Sequence, residues 1–166
     1  QRGQLAEASK CRQDWRGRRR ERALGKRRWA EGAAHILPLT GHDTVVDERS
    51  PLREALKTAY EIRVMLVNPV GKGLRRRIDS LPPDITLLSF HKEIEASIAY
   101  LAELRKAGKK ITLKFYEQEP FWKVIVFGDH VWVQHFHSGF EAKHQPEYVF
   151  ALHHRNPREG LYVPFY

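Results

Sequence analysis

The sequence predicts an α/β fold in which a mixed β-sheet is flanked by helices on both faces. Three observations lead to this prediction. The chain has 166 residues with a hydrophobic fraction of 42%, helical and strand-like segments alternate in its first part, and four strand-like segments follow one another in its last part. The predicted order is β-α-β-α-α-β-β-β-β. Strands separated by helices are usually parallel and consecutive strands usually antiparallel, so we expect one sheet with both kinds of pairing.

The first half of the chain contains the parallel part of the predicted sheet. Ser50 followed by Pro51, with Glu54 in the first turn, is typical of a helix start. Asn68-Pro69 ends the second strand, because a proline cannot donate to the ladder. The predicted elements of this half are strands over residues 34–41 and 61–69 and helices over residues 51–59 and 74–81.

The second half begins with a helix and then changes to the period of a β-strand. Ile94, Ile98 and Leu101 mark one helical face, and Gly108 stands where a helix commonly ends. The segments that follow are rich in β-branched and aromatic residues. The predicted elements of this half are a helix over residues 90–107, strands over 110–117, 122–128, 130–137 and 147–154, and an edge segment over 160–166.

The net charge of +9 is concentrated at the N-terminal end. Residues 1–33 hold eleven Lys and Arg and four Asp and Glu, a net of 11 − 4 = +7, which leaves a net of only +2 for residues 34–166. We therefore predict a basic helical arm over 1–33 and a single α/β domain over 34–166. A basic block attracts polyanions such as nucleic acid, although a solvated helix has the same composition. The arm residues expected to contact nucleic acid are Arg16, Arg18, Arg19, Arg20, Arg22, Lys26, Arg27 and Arg28.

Cysteine content and hydropathy limit the class of protein. Cys11 is the only cysteine, which excludes an intramolecular disulfide and a cysteine-based zinc site. No apolar run approaches the ~20 residues that cross a bilayer. The N-terminal end is rich in arginine and lacks the apolar region of a secretory signal. We therefore expect a cytoplasmic protein with no transmembrane segment, and no cofactor is predicted.

The segment KITLKFYEQEPFWKVIVFGD places Lys123 at the start of the strand that follows ITLKFY. Together with the element order, this segment resembles one half of a phospholipase D-like domain, and the resemblance covers residues 34–137. In that superfamily the motif is His-x-Lys, then four residues, then Asp. The resemblance implies that the histidine attacks phosphorus and that the lysine stabilises the charge on the phosphate oxygens.

The motif matches this chain only in part. Lys123 fits the motif lysine, but Phe121 stands where the nucleophilic histidine is expected. Gly128 holds the position of the motif aspartate, and Asp129 comes one residue late. The family's covalent mechanism cannot run from such a motif. Active members bring two motifs together, so the resemblance also implies a homodimer or a second domain. For Lys123 the alternative interpretation is a lysine that covers a strand edge.

The loop TGHDT after the first strand is the other candidate part of a phosphate site. In open α/β sheets, loops at the carboxyl ends of strands bind ligands. Gly41 frees the backbone for close approach, and His42, Asp43 and Thr44 supply polar groups. These four residues and Lys123 are the predicted anion-binding set. A hydrogen-bonded turn without a ligand explains the same loop equally well.

Histidines offer two further alternatives. His135 and His137 are two apart on a predicted strand, so they share one face and could bind zinc with His42 or His130 as a third ligand. The pair has no acidic partner nearby in sequence, and no metal site is predicted. His42 or His135 could instead act as a relocated nucleophile on a phosphate that Lys123 holds, and these three would then be the catalytic residues.

These observations favour a non-catalytic or vestigial phospholipase D-like domain that binds a phosphate-containing ligand, a nucleotide or nucleic acid. One alternative is a phosphodiesterase with a relocated histidine. The other is a protein–protein assembly domain, because clustered exposed aromatic residues form interfaces. The aromatic residues that would form this interface are Trp122, Trp132, Phe136, Phe140, Tyr148 and Phe150.

Overall fold

The computed structural model describes residues 33–156, 158 and 160–165, which form a six-stranded sheet with helices packed on it. The predicted basic helix and its eight nucleic-acid contacts lie outside the described residues, and those predictions stay untested. The strands are β1 (Ala33–Leu37), β2 (Glu61–Val67), β3 (Lys110–Tyr116), β4 (Trp122–Phe127), β5 (His130–His135) and β6 (Glu147–Ala151).

Parallel and antiparallel pairing divide the sheet at β1. The strand order is β3-β2-β1-β4-β5-β6. β2 is parallel to both β1 and β3, because helices connect these strands. β4 pairs antiparallel with β1, and β5 and β6 continue the sheet in antiparallel hairpins. The prediction of a mixed sheet, parallel in its early strands and antiparallel in its late ones, is confirmed.

The described residues form four α-helices, and their caps explain where two of them begin. The Ser50 hydroxyl accepts the Leu52 N–H, as the Ser-Pro pair predicts. Thr86 and Ser89 form a reciprocal cap, so that helix begins three residues before the prediction. None of these helices is long and apolar enough to cross a membrane. The helices are α1 (Pro51–Thr58), α2 (Lys72–Asp79), α3 (Leu87–Lys106) and α4 (Tyr162–Phe165).

The two faces of the sheet carry cores of different size. On one face, which we call the helical face, side chains such as Ile36, Val64 and Phe127 pack with α1, α2 and α3 in one large cluster. On the other, which we call the α4 face, Val126 and Val131 pack in a smaller cluster with α4. Helices therefore contact both faces, and three of the four described α-helices lie on one of them.

The C-terminal end differs from the prediction. The edge segment expected over residues 160–166 is wrong, because the chain forms α4 there and adds no strand to the sheet. Tyr162 is buried in the smaller core, and its hydroxyl donates to the carbonyl of Gly128 at 2.9 Å. Phe165 stacks on Phe150, with the ring centroids 6.1 Å apart. Packing of these two aromatic rings on the sheet overrides the local preference for an extended chain.

α2 packs against two loops at one end of the sheet. Gly73 lies so close to the backbone of Gln118, in the β3–β4 connection, that a Cβ would clash with it. One turn later, Arg77 is 2% exposed. Its Nη1 donates to the carbonyl of His137 and its Nη2 to the carbonyl of Phe140, each at 2.8 Å. α2 therefore holds both the β3–β4 connection and the loop that follows β5.

Replacement of Arg77 by Ala should lower the free energy of unfolding by about 2–4 kcal/mol, because two carbonyl groups lose their donor and a cavity is left. Chemical denaturation followed by circular dichroism measures this quantity. Arg76 is exposed on the same helix, so Arg76→Ala is the matched control, with an expected change below about 0.5 kcal/mol. Equal stability of the two variants would contradict the role given to Arg77.

Candidate functional site

One end of the sheet brings most of the candidate residues together. We call it the carboxyl end, because β1, β2, β3 and β5 finish there, and β4 and β6 start there. The chain leaves β1 towards β2, while β4 pairs with the other side of β1. Open α/β sheets bind ligands outside such a switch point. The TGHDT loop, Lys123 and His135 all lie at this end.

Lys123 forms a shielded ion pair with Glu147. Its Nζ lies 3.0 Å from Glu147 Oε1, and the two side chains are 16% and 11% exposed. Lys123 points to the helical face, because Ile125, two residues later, belongs to the larger core. Gln134 lies opposite Lys123 on β5 and donates to the carbonyl of Ala142 at 2.7 Å. The positive charge of Lys123, which the resemblance implies would bind a phosphate, is thus neutralised by the Glu147 carboxylate.

The remaining motif positions lie apart from this pair. Phe121, at the position of the motif histidine, is 53% exposed. Asp129 is six residues beyond Lys123, roughly 20 Å along β4, in the two-residue turn to β5. Gly128 has a φ of 58° and no described non-glycine residue has a positive φ, so this turn is type II′ and needs glycine first. Asp129 Oδ2 forms a hydrogen bond there with His154 Nε2 at 2.8 Å.

The TGHDT loop forms a short π-helix, His42–Val46. Gly41 precedes it with a φ of 84°, and a Cβ there would lie 3.0 Å from Leu66 Cδ2, so glycine allows the loop to pack closely on the sheet. The carbonyl of Gly41 accepts the N–H groups of Thr44 at 3.0 Å and Val45 at 2.8 Å. Both N–H groups are therefore engaged within the loop.

Glu93 on α3 faces this loop, and sequence reasoning missed it. Thr40 Oγ1 donates to Glu93 Oε2 at 2.8 Å. Burial raises the pKa of the Glu93 carboxyl, whereas the hydrogen bond from Thr40 lowers it. The charges of Asp43 and Glu141 raise this pKa further, and that of His42 lowers it. The helical period identifies only apolar positions, so it did not distinguish Glu93 from the other acidic residues of α3.

His135 and His137 lie in contact, as their spacing predicts. Their ring centroids are 4.2 Å apart, and the His135 ring also lies 4.6 Å from that of Trp122. His135 pairs with Trp122 across the ladder, one position from the row that contains Lys123, so His135 and Lys123 point to opposite faces. Burial lowers the pKa of His135, and the charges of His137 and Arg77 lower it further.

Metal ligands are not grouped in the part of the chain that the structure describes. Within it, no three His, Cys, Asp or Glu side chains are placed to hold a metal ion. His130 lies at the opposite end of β5 from His135, five residues and roughly 17 Å away. His130 therefore cannot join the His135 and His137 pair as a third ligand.

The aromatic residues suggested as an interface divide into two groups. Trp132 and Phe136 are 9% and 2% exposed and belong to the larger core. Trp122, Phe140 and Tyr148 are 44%, 60% and 52% exposed. Phe150 packs at the smaller core. The fold therefore leaves three of the six exposed, and the interface stays a prediction.

No protein-family model, curated protein or solved structure matches this chain. The fold and the carboxyl end define the class as an α/β protein with a six-stranded mixed sheet. Membership of the phospholipase D-like superfamily stays a prediction that rests on Lys123 and the element order.

Removal of either partner of the ion pair should destabilise the fold. We expect Lys123→Met and Glu147→Gln each to lower the free energy of unfolding by about 1–3 kcal/mol, because the remaining group stays shielded from water. The double variant should lose less than the sum of the two, with a coupling of about 1 kcal/mol. Denaturant titrations of the four proteins measure this coupling, and strictly additive losses would show that the pair contributes nothing.

The raised pKa of Glu93 predicts a pH-dependent cost of folding. The pKa of Glu93 is higher in the folded state than its value of 4.5 in the unfolded chain. The protonated carboxyl therefore contributes fully to stability below pH 4.5, and this contribution to stability is lost as the pH rises through the folded-state pKa. Glu93→Gln should therefore melt higher than wild type at pH 7, on the order of 2 °C, and equally at pH 4. Exposed Glu95 offers the control Glu95→Gln, which should match wild type at both values. A Glu93→Gln protein that melts lower at pH 7 would refute this.

Proposed function

We propose that this chain is a non-catalytic domain of phospholipase D-like type that binds nucleic acid through its basic N-terminal arm. The observation that carries the proposal is the ion pair between Lys123 and Glu147. It occupies the position where the resemblance expects a phosphate. A phosphate at Lys123 would have to replace the Glu147 carboxylate and repel it at close range.

Other acidic residues at the carboxyl end also disfavour a phosphate there. Asp43 and Glu141 lie close enough for their charges to act on Glu93. Glu117, at the end of β3, accepts a hydrogen bond from Asn68 in the loop after β2. A concentration of acidic groups lowers the local concentration of anions. This supports a nucleic-acid contact outside the carboxyl end.

The charge distribution supports the arm as that contact. Residues 1–33 carry a net +7 and residues 34–166 only +2. Seven of the eight arm residues proposed as contacts are arginine. The planar guanidinium binds phosphate oxygens through two parallel hydrogen bonds. A run of such residues favours a polyanion over an isolated anion, because several phosphates are contacted at once. Contacts of this kind hold a polyanion without reading its sequence.

The positions of the histidines support binding over catalysis. Covalent phosphoryl transfer needs a nucleophile within hydrogen-bond reach of the bound phosphate. Phe121 offers no nucleophilic atom, and His135 lies on the opposite face from Lys123. His42 Nδ1 lies 3.8 Å from Asp43 Oδ1, beside the Glu93 carboxyl rather than beside a cluster of cations.

Fluorescence anisotropy with a labelled DNA duplex tests this proposal. The full chain should bind, and the logarithm of its affinity should fall linearly with the logarithm of the salt concentration. Arg19→Gln/Arg20→Gln should weaken binding for every sequence and reduce this salt slope by about 2, since each lost phosphate contact reduces it by about 1.

A charge-matched variant of the body separates a specific contact from net charge. Arg75 and Arg76 are exposed on α2, so Arg75→Gln/Arg76→Gln removes the same charge from the domain and should leave the salt slope unchanged. Lys123→Met should also bind like wild type. Absence of binding at low salt, or equal weakening by the arm and α2 variants, would overturn the proposed function.

A further inference from the structure

β3 is a long strand at one edge of the sheet. Within the described residues it pairs with β2 on one side, and the sheet order ends with it on the other. All seven of its residues, from Lys110 to Tyr116, pair in unbroken register with β2, without a bulge. A regular edge strand of this length is a template for a further strand, because half of its backbone N–H and C=O groups point away from the sheet.

The outward-pointing groups can be assigned from two hydrogen bonds. The carbonyl of Tyr116 accepts the Asn68 N–H at 2.8 Å, so Tyr116 points its backbone groups towards β2. Backbone groups alternate along a strand, and the outward ones therefore belong to Ile111, Leu113 and Phe115. The carbonyl of Ile111 confirms the assignment, since it accepts Arg105 Nη2 at 3.1 Å from outside the ladder.

The three outward residues carry apolar side chains on the helical face. Ile111 and Leu113 are half-buried against the larger core, and Phe115 is 46% exposed. The same positions thus combine outward-pointing backbone groups with apolar surface that is only partly covered. A second strand added here would satisfy the backbone groups and cover Phe115 at once.

We propose that two copies of this chain associate through an antiparallel pair of β3 strands centred on Leu113. In this register Leu113 lies opposite Leu113 of the second copy, and Ile111 lies opposite Phe115 of the second copy. The Leu113–Leu113 pair and the two Ile111–Phe115 pairs are all hydrogen-bonded pairs, because each joins residues whose backbone groups point outward. The two sheets then form one continuous sheet across a two-fold axis, with an aromatic–β-branched contact on each side of the central leucines.

The lysines of β3 select this register. With Leu113 at the centre, Lys110 lies opposite Tyr116 and Lys114 opposite Thr112 of the second copy. A pair centred on Thr112 would place Lys110 opposite Lys114 of the second copy. A pair centred on Lys114 would place Lys114 opposite Lys114 of the second copy. Like charges directly opposite each other destabilise a strand pair. The carbonyl that Arg105 contacts can still accept a second donor, because a carbonyl oxygen has two lone pairs.

A disulfide between the copies tests the register in the full chain. In a Cys11→Ser background, Leu113→Cys places two thiols on residues whose Cα atoms are about 5.5 Å apart in a hydrogen-bonded pair, within the range that a disulfide spans. Phe115→Cys is the control, oxidised at a concentration where sedimentation shows it to be dimeric, since its two copies lie four residues out of register, roughly 13 Å apart. Mild oxidation should convert Leu113→Cys to a covalent dimer at least about tenfold faster than Phe115→Cys.

Sedimentation equilibrium tests the association itself without cysteines. The mass of the wild-type chain should rise with concentration from one copy to two. Phe115→Lys should raise the dissociation constant of the dimer by about tenfold or more, because both contacts with Ile111 are lost and two charges are added. Leu88 is 63% exposed on α3 and is not part of β3, so Leu88→Lys should leave the dissociation constant unchanged.

Three results would overturn the proposal. One is a wild-type chain that stays monomeric at all concentrations, which would leave the β3 edge to a strand of another protein. The second is a dimer that Phe115→Lys does not weaken. The third is equal cross-linking of Leu113→Cys and Phe115→Cys. Because none of these measurements involves nucleic acid, their outcome is independent of the function proposed for the arm.

Discussion

The guanidinium of Arg77 is buried between α2 and the loop after β5, and the arrangement of the carboxyl end depends on it. Among the described residues, the 2.8 Å hydrogen bonds of its Nη1 and Nη2 go to two backbone carbonyls and not to a carboxylate, and the Phe136 ring lies 5.6 Å away. Burial lowers the pKa of Arg77, and the charge of Glu119 opposes this. Carbonyl dipoles can hold a buried cation only if the backbone that carries them is fixed, so the cation and the loop order each other.

This contact has consequences across the sheet. The loop after β5 returns over the helical face, where Gln134 donates to two of its carbonyl groups. The chain then enters β6 at Glu147, which is placed to meet Lys123 across the width of β5. The close approach of Gly73 to Gln118 fixes the other flank, at the connection that leads into β4. α2 thus determines the entry points of both strands that form the ion pair. An anion at Lys123 would disturb the pair and the loop together, a stronger argument against a phosphate there than the charge of Glu147 alone.

The sequence was most informative where the determining interactions are local. The cap at Ser50, the alternation of the strands and the change from parallel to antiparallel pairing all follow from residues close in the chain. The Gly-Asp order at the β4–β5 turn also has a local cause, since a type II′ turn takes glycine first. The turn accounts for the position of Asp129 without reference to the motif. The same local reasoning identified Lys123 as a residue of interest.

Partners that are distant in sequence could not be predicted in this way. Glu147 lies 24 residues after Lys123, and Glu93 lies 53 residues after Thr40. A strand period gives the face on which a side chain lies, but not which neighbour on another strand has the complementary charge. α4 was missed for a related reason, because Tyr162 and Phe165 are held by the packing of the α4 face. Such contacts arise only once the whole sheet is assembled.

The proposed β3 dimer would fix the distance between the points where the two basic arms begin. Ala33, where the arm joins β1, is level with Glu61 and Lys110 across the sheet. In the proposed dimer five strand spacings separate the two copies of β1, roughly 24 Å, and the antiparallel register offsets their first residues by a further 20 Å or so along the strands. The two arms therefore begin roughly 30 Å apart, close to the length of one turn of duplex DNA, about 34 Å. Two arms at this spacing can contact one face of a single duplex, and the first contact then raises the effective concentration of the second arm without any new interaction. In the proposed dimer, a body with little net charge would position the two arms without competing with them for the phosphates.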